Sequence, residues 1–164
     1  MNKARFSLIL ILVPFCFGLW LFPSCTAVDI FEKNVSIPHQ AWSSQFKPAI
    51  SFEIMDTTVR YNIYLVIRHT DAYRYKNIWI SVHTQGPSGE ARNLPVDFQL
   101  ATDDRGWLGS GMDDIYEQRI KINQDQALSL HGGTWQFTMA NIMRDDPLEH
   151  VLDIGIRLEK VPYQ

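Results

Sequence analysis

Cys25 is the residue whose surroundings spell out a chemistry most directly. It closes Leu21-Phe22-Pro23-Ser24-Cys25, behind an uncharged apolar run from Phe6 to Phe22 and a basic start at Lys3 and Arg5. Basic start, apolar run and a small residue before cysteine follow the order of a bacterial lipoprotein signal peptide. In that reading residues 1–24 are removed and the Cys25 thiol is acylated, so that Cys25 becomes the lipid-bearing N-terminus. The run is 17 residues long, between a signal core and a full transmembrane helix. Pro14 interrupts it, and Pro23 breaks any helix just before the small residue a peptidase needs. Two or more acyl chains suffice for stable membrane attachment. The other cysteine, Cys16, leaves with the leader, and the remaining 140 residues then hold no pair of thiols for an internal disulfide.

Other residue types that do chemistry are present without the spacing it needs. His39, His69, His83, His131 and His150 stand at no metal-ligand spacing, and neither a CxxC pair nor HExxH occurs. His69 shares the parity of the apolar face of its segment, which fits a hydrogen-bonded strand-end residue better than a ligand. Ser88 and Ser110 sit in glycine-rich turns, outside the strand-to-helix setting of a nucleophile elbow. Asp103, Asp104, Asp113 and Asp114 flank glycines in one long polar loop, a setting that suits calcium, but the EF-hand order of ligands is absent. A solvated hairpin with turn-forming aspartates is the simpler reading. We therefore expect no enzyme activity, no catalytic residue, no metal and no cofactor.

The aromatic residues offer binding instead. Trp42, Tyr73, Tyr75, Trp79, Trp107 and Tyr116 include several on loops or on the polar parity of strands, where exposed rings can anchor a partner or stack on a sugar. Tyr73, Tyr75, Trp79, Trp107 and Tyr116 are taken as candidate partner-binding residues. For any one of them, packing against the core or an edge is the competing role.

The elements that must position these side chains are strands. Val59, Tyr61, Ile63, Leu65 and Ile67 alternate with Arg60, Asn62 and Arg68, and Leu152, Ile154, Ile156 and Leu158 alternate with Asp153, Gly155, Arg157 and Glu159. Trp135, Phe137 and Met139 repeat the pattern. Weaker versions run through Ile50-Phe52-Ile54, Ile78-Ile80-Val82, Leu94-Val96-Phe98-Leu100 and Ile120-Ile122. Period-two alternation marks half-buried antiparallel strands. Breakers fall between them at Gly86-Pro87-Ser88-Gly89, Gly109-Ser110-Gly111, His131-Gly132-Gly133 and Asp145-Asp146-Pro147. No helical stripe is sustained, although Asp113 to Gln118 is long enough for one helical turn. About seven or eight strands predict an all-β, single antiparallel β-sandwich, jelly-roll-like, over residues 49–164. Residues 25–48, with Pro38 and Pro48, read as lipidated N-terminus, tether and a possible edge strand.

Composition narrows the partners. The formal charge of −3 becomes −5 once Lys3 and Arg5 are lost, and no Lys/Arg block occurs, which argues against nucleic acid. Every later apolar stretch is interrupted by charge, so the lipid rather than the fold would hold the protein at a membrane.

Three stretches acquire meaning together: Tyr61 to Trp79; Trp107-Leu108-Gly109-Ser110-Gly111 followed by Asp114-Ile115-Tyr116; and Met143 to Leu148 leading to Asp153-Ile154-Gly155-Ile156-Arg157. In this order, behind the leader and Cys25, the chain resembles the gliding-motility lipoprotein GldH family of the Bacteroidota. The similarity runs over essentially the whole mature chain. It implies a small lipid-anchored protein of the outer membrane that supports gliding and the associated secretion machinery, with no assigned catalysis or cofactor. Expected partners are the membrane, through acylated Cys25, and other envelope or gliding-machinery proteins, met by the loops Asp71 to Asn77 and Asp103 to Asp114. The alternative reading is a glycan-binding lipoprotein that stacks sugars on Tyr73, Tyr75, Trp79 or Trp107.

Overall fold

Alternating residues can bury one face only if strands pair and a second layer covers them. The computed structural model describes residues 30–123 and 126–161. The leader, Cys25 and residues 162–164 lie outside them. In chain order the strands are β1 (Ile30–Ser36), β2 (Ala41–Trp42), β3 (Ala49–Ile54), β4 (Arg60–Thr70), β5 (Asn77–Gln85), β6 (Ala91–Gln99) and β7 (Ala101–Thr102). There follow β8 (Gly106–Trp107), β9 (Ser110–Met112), β10 (Ile115–Lys121), β11 (Leu128–Ser129), β12 (Gly133–Asn141), β13 (Leu148–Glu149) and β14 (Val151–Val161).

Two antiparallel sheets face each other. The larger has the order β1-β14-β4-β10-β9 with β11 also on β4, and the smaller has the order β3-β12-β5-β6. Two short ladders, β2 with β13 and β7 with β8, fasten loops at one end. The protein is thus an all-β antiparallel sandwich, as the alternation predicts. Eight strands run six residues or more. The other six have only two or three residues, too few to show a period, which is why the sequence yields the smaller number.

β4 lies at the centre of the larger sheet. Tyr61, Ile63, Leu65 and Ile67 point inward from it and are buried, beside Ile154, Ile156 and Leu158 of β14. Phe52, Ile54, Ile78, Ile80, Val82, Phe137 and Met139 of the smaller sheet complete the core. Each such side chain contributes about 1.5–3 kcal/mol by leaving water, so this shared layer dominates the stability.

β1 pairs with β14 along its whole length, from Ile30 opposite Glu159 to Ser36 opposite Asp153. The larger sheet therefore takes in residues 30–36, ahead of residue 49. At this edge Lys33 reaches across to the smaller sheet: its ammonium donates to the Ser51 carbonyl at 2.5 Å and lies 5.0 Å from the centre of the Phe52 ring.

The outer face of the larger sheet is a ladder of charges. Arg157 contacts Glu32 at 3.1 Å and Glu159 at 2.7 Å, Arg119 contacts Glu117 at 2.7 Å and Glu32 at 3.5 Å, and Arg68 contacts Asp153 at 3.0 Å. Gly155 leaves room on this face for the Asn34 side chain, which a Cβ would strike.

Two local expectations need correction. Asp113 to Gln118 forms no helical turn. Asp113 and Asp114 are the two central residues of a hairpin in which Met112 faces Ile115, and the chain runs on as β10. Such a tight turn needs positive φ, and Asp113 supplies it at 54°, a conformation Asp tolerates better than most residues. In β6 the alternation from Leu94 to Leu100 is only half realised. Phe98 and Leu100 are buried, whereas residues 91–95 are all exposed and Leu94 keeps 42% of its surface. β6 is the edge strand of the smaller sheet, so its first half is open to water although Val82, opposite Leu94 on β5, is buried.

Candidate interaction site

The end of the sandwich reached by the C-terminus of β4 is built around His69. Arg68-His69-Thr70 closes β4, with Tyr116 of β10 on one side and Val151 of β14 on the other. A register shift between Val151 and Asp153 bends β14 there. His69 is fully buried, on the inward parity of β4. Its Nδ1 lies 2.9 Å from the Thr70 carbonyl, so the Nδ1–H donates to it and Nε2 stays unprotonated. Nε2 has no hydrogen-bond partner among the described residues, and burial lowers the imidazole's affinity for a second proton below that of a free histidine.

Rings occupy the space around the imidazole. Trp107 meets it edge-on at 4.6 Å, Tyr116 stacks at 5.8 Å with 19° between planes, and Tyr73 leans in at 5.5 Å. Tyr73 in turn meets Tyr75 at 6.0 Å in a T-shape. Such offset and edge-to-face contacts add about 0.5–1.5 kcal/mol per pair beyond the area they bury.

Two glycines let the rings in. Gly109, at φ 88°, backs onto the Glu117 carbonyl, which any Cβ would strike. Gly111 pairs with Tyr116, whose ring covers it, with 2.9 Å left to the place a Cβ would take.

The same end gathers loops distant in sequence. Asp71 N–H donates to the Asp114 carbonyl at 2.8 Å, Leu100 N–H to the Lys76 carbonyl at 2.6 Å, and Leu108 N–H to the Leu100 carbonyl at 2.7 Å. Lys76 forms an ion pair with Asp103, which holds that carboxyl below its usual range. Loops 71–77 and 101–114 thus form one braced surface. Of the loop aspartates, Asp103 turns to Lys76 and Asp104 to Arg105. Among the described residues no group of three or more His, Cys, Asp or Glu is placed to hold a metal ion.

Beside the rings lies a hollow of about 460 Å³, lined by Arg74, Tyr75, Arg144 and residues 145–149. The Tyr75 hydroxyl donates to Asp145 at 2.6 Å, a bond that raises the pKa of the phenol. Asp146 accepts the Ser44 N–H at 2.9 Å and hydroxyl at 2.5 Å, and these donors hold its carboxyl low. Asn141, itself buried, donates to the Trp42 carbonyl at 3.1 Å and accepts the Met143 N–H at 2.8 Å. The wall of the hollow is therefore tied to β12 of the smaller sheet, to β2 with the turn after it, and to the loop after β4.

Of the five candidate rings, Tyr73, Tyr75, Trp107 and Tyr116 belong to one cluster. Tyr73 is only 3% exposed, and its hydroxyl donates to the Asn77 carbonyl at 3.1 Å. It has no open face for a sugar or a partner and works by holding its loop. Trp107, Tyr75 and Tyr116 are half-buried. Trp79 stands apart on the outer face of β5, 42% exposed and opposite Asp97. Trp42, also grouped with the loop rings, is completely buried and donates to the Phe46 carbonyl at 2.9 Å. The sequence signals His69 by its parity. The hollow it does not signal, because Tyr75 and Asp145 are 70 positions apart.

Fold and site together define an all-β sandwich protein that presents one ring-braced end of polar loops. A family model described as GldH lipoprotein matches residues 29–158. The chain belongs to this family. It is 24% identical over 153 residues to a protein of Christiangramia forsetii named gliding motility lipoprotein GldH homolog, covering 89% of this chain and 93% of that one. It is also 24% identical over 144 residues to the gliding motility lipoprotein GldH of Flavobacterium johnsoniae, covering 84% and 88%. Among solved structures, the infectious bursal disease virus VP2 subviral particle overlays with a TM-score of 0.36 at 12% identity, over 85% of this chain and 36% of that one. That likeness is too loose to carry an argument.

Proposed function

We propose that this chain is a non-enzymatic protein of the outer membrane, held by acyl chains on Cys25, that supports gliding motility and the associated secretion machinery through protein–protein contacts. The observation that carries the reading is the family match across residues 29–158, joined to two relatives named for gliding motility over nearly their full length. The braced end supports the contact mechanism. Loops 71–77 and 103–114 are joined by the Asp71–Asp114 hydrogen bond and the Lys76–Asp103 ion pair, and Arg74 and Arg144 stand exposed at the hollow beside them.

Crosslinking and co-purification from native membranes test it. The intact chain should capture a defined set of envelope proteins. Arg74→Glu with Arg144→Glu should abolish that capture and slow surface spreading while leaving the protein folded. Cys25→Ala should release the chain from the membrane fraction. Capture that survives the charge reversal would remove this end as the contact. Retention of a polysaccharide instead, lost on Trp79→Ala in a folded variant, would replace the protein-contact reading with a glycan-binding one.

A further inference from the structure

The two ends of the sandwich differ in chemistry. Among the described residues the exposed large hydrophobics are Ile30, Phe31, Met55, Trp79, Leu94, Met112, Leu128 and Ile142. Four of these gather at the end opposite His69, exposed by 43%, 47%, 88% and 37% for Ile30, Phe31, Met55 and Leu128. A chain of contacts links Phe31, the turn at Met55 and Leu128. The Lys160 ammonium lies 5.7 Å from the centre of the Phe31 ring and 3.4 Å from the Asp56 carboxylate, next to Met55. The Asp56 carbonyl accepts the Tyr61 hydroxyl at 2.7 Å, and Tyr61 pairs with Leu128.

The His69 end also exposes Met112, by 75%, but there charge predominates. Loops 71–77, 103–114 and 144–149 hold eight carboxylates, at Asp71, Asp103, Asp104, Asp113, Asp114, Asp145, Asp146 and Glu149, against four basic residues. An anionic lipid surface would repel that end.

Chain length decides which end meets lipid. Four residues separate Cys25 from Ile30, and five virtual bonds at full extension span at most about 18 Å. β1 enters the sandwich at Ile30, within the apolar end. An anchor on Cys25 therefore holds Ile30, Phe31, Met55 and Leu128 close to the headgroups and the acidic loops farther out.

We infer that the end carrying Ile30, Phe31, Met55 and Leu128 is a lipid-contacting surface, seated on the headgroup layer so that the loops around His69 face away from the membrane. This rests on acylation of Cys25. Apolar side chains at such a boundary gain by leaving water while the backbone stays paired in the sheet. The seat gives the anchored sandwich a fixed orientation.

The test uses the full acylated chain in vesicles of phosphatidylethanolamine and phosphatidylglycerol, with and without doxyl-labelled lipid. One variant carries Met55→Cys and another Asp104→Cys, each labelled with an environment-sensitive thiol dye. The label at 55 should shift to the blue and lose emission to doxyl lipid, and the label at 104 should do neither. Adding Phe31→Ser and Leu128→Ser should abolish quenching at 55 while the chain still floats with the vesicles. A floating chain whose two labels are quenched alike, or not at all, overturns the orientation and leaves the anchor standing. A blue shift at 55 that follows protein concentration in detergent without vesicles assigns the surface to a second copy and overturns the lipid contact. A chain that does not float overturns the anchor, and the inference falls with it.

Discussion

A buried histidine with one nitrogen bonded and the other facing rings is stable only while neutral. His69 binds a proton less readily folded than unfolded, so the unfolded chain takes up more protons as the medium acidifies. Its share of stability is complete above the ordinary histidine value of about 6.5 and drains away as pH falls below it. Urea midpoints measured between about pH 8 and pH 5 should therefore decline on the acid side, with a shallower slope in His69→Gln. Two glycines offer a second comparison at this scale. Gly89 and Gly109 have nearly the same φ, 86° and 88°, but Gly89 has open space where Gly109 meets the Glu117 carbonyl. Gly89→Ala should cost about 1 kcal/mol for the left-handed backbone alone. Gly109→Ala should cost about 3 kcal/mol or more, because backbone must also move, and near-ultraviolet dichroism should show the ring cluster loosened.

Among the elements, β4 and β14 meet water through the charged ladder on the outer face of their sheet. Asp153 is 7% exposed, one of its oxygens has no partner among the described residues, and burial raises its pKa against the pull of Arg68. A carboxyl with a raised pKa contributes its stability when protonated, and that contribution is lost as pH rises through the folded value. At neutral pH the ionised group is thus a cost that Arg68 offsets. Asp153→Asn should be neutral or slightly stabilising at pH 7. Arg68→Met, which leaves the buried charge alone, should destabilise by about 1–3 kcal/mol, less than a fully buried pair because Arg68 is partly exposed. Chemical denaturation of both variants distinguishes the two effects.

For the molecule as a whole, β1 ties the first described residues to the fold. It covers the free edge of β14 with seven residue pairs, and Lys33 bridges to the second sheet. A chain beginning at residue 37 should lose its cooperative thermal transition or aggregate through the bared β14 edge, because unpaired edge groups recruit other strands. Light scattering and calorimetry would show it. A chain beginning at residue 30 should melt like the intact domain. That contrast would establish that residues 30–36 belong to the sandwich rather than to the tether.

The alternation of residues 59–67 and 152–158, with glycine- and proline-rich breakers between strands, was enough to specify an antiparallel sandwich. A sheet with one buried face imposes period two on its sequence, and nothing else in the chain competes with it. Parity alone also placed His69 on the inner face. The pairing of Tyr75 with Asp145, the burial of Tyr73 and Trp42, and the separation of Trp79 from the other rings were decided by tertiary structure. Each depends on which loop lies against which, and loop residues carry no period from which their neighbours could be read. The division into an apolar end at Ile30 and an acidic end at His69 arises in the same way. It exists only once Phe31, Met55 and Leu128, far apart along the chain, are folded to one side.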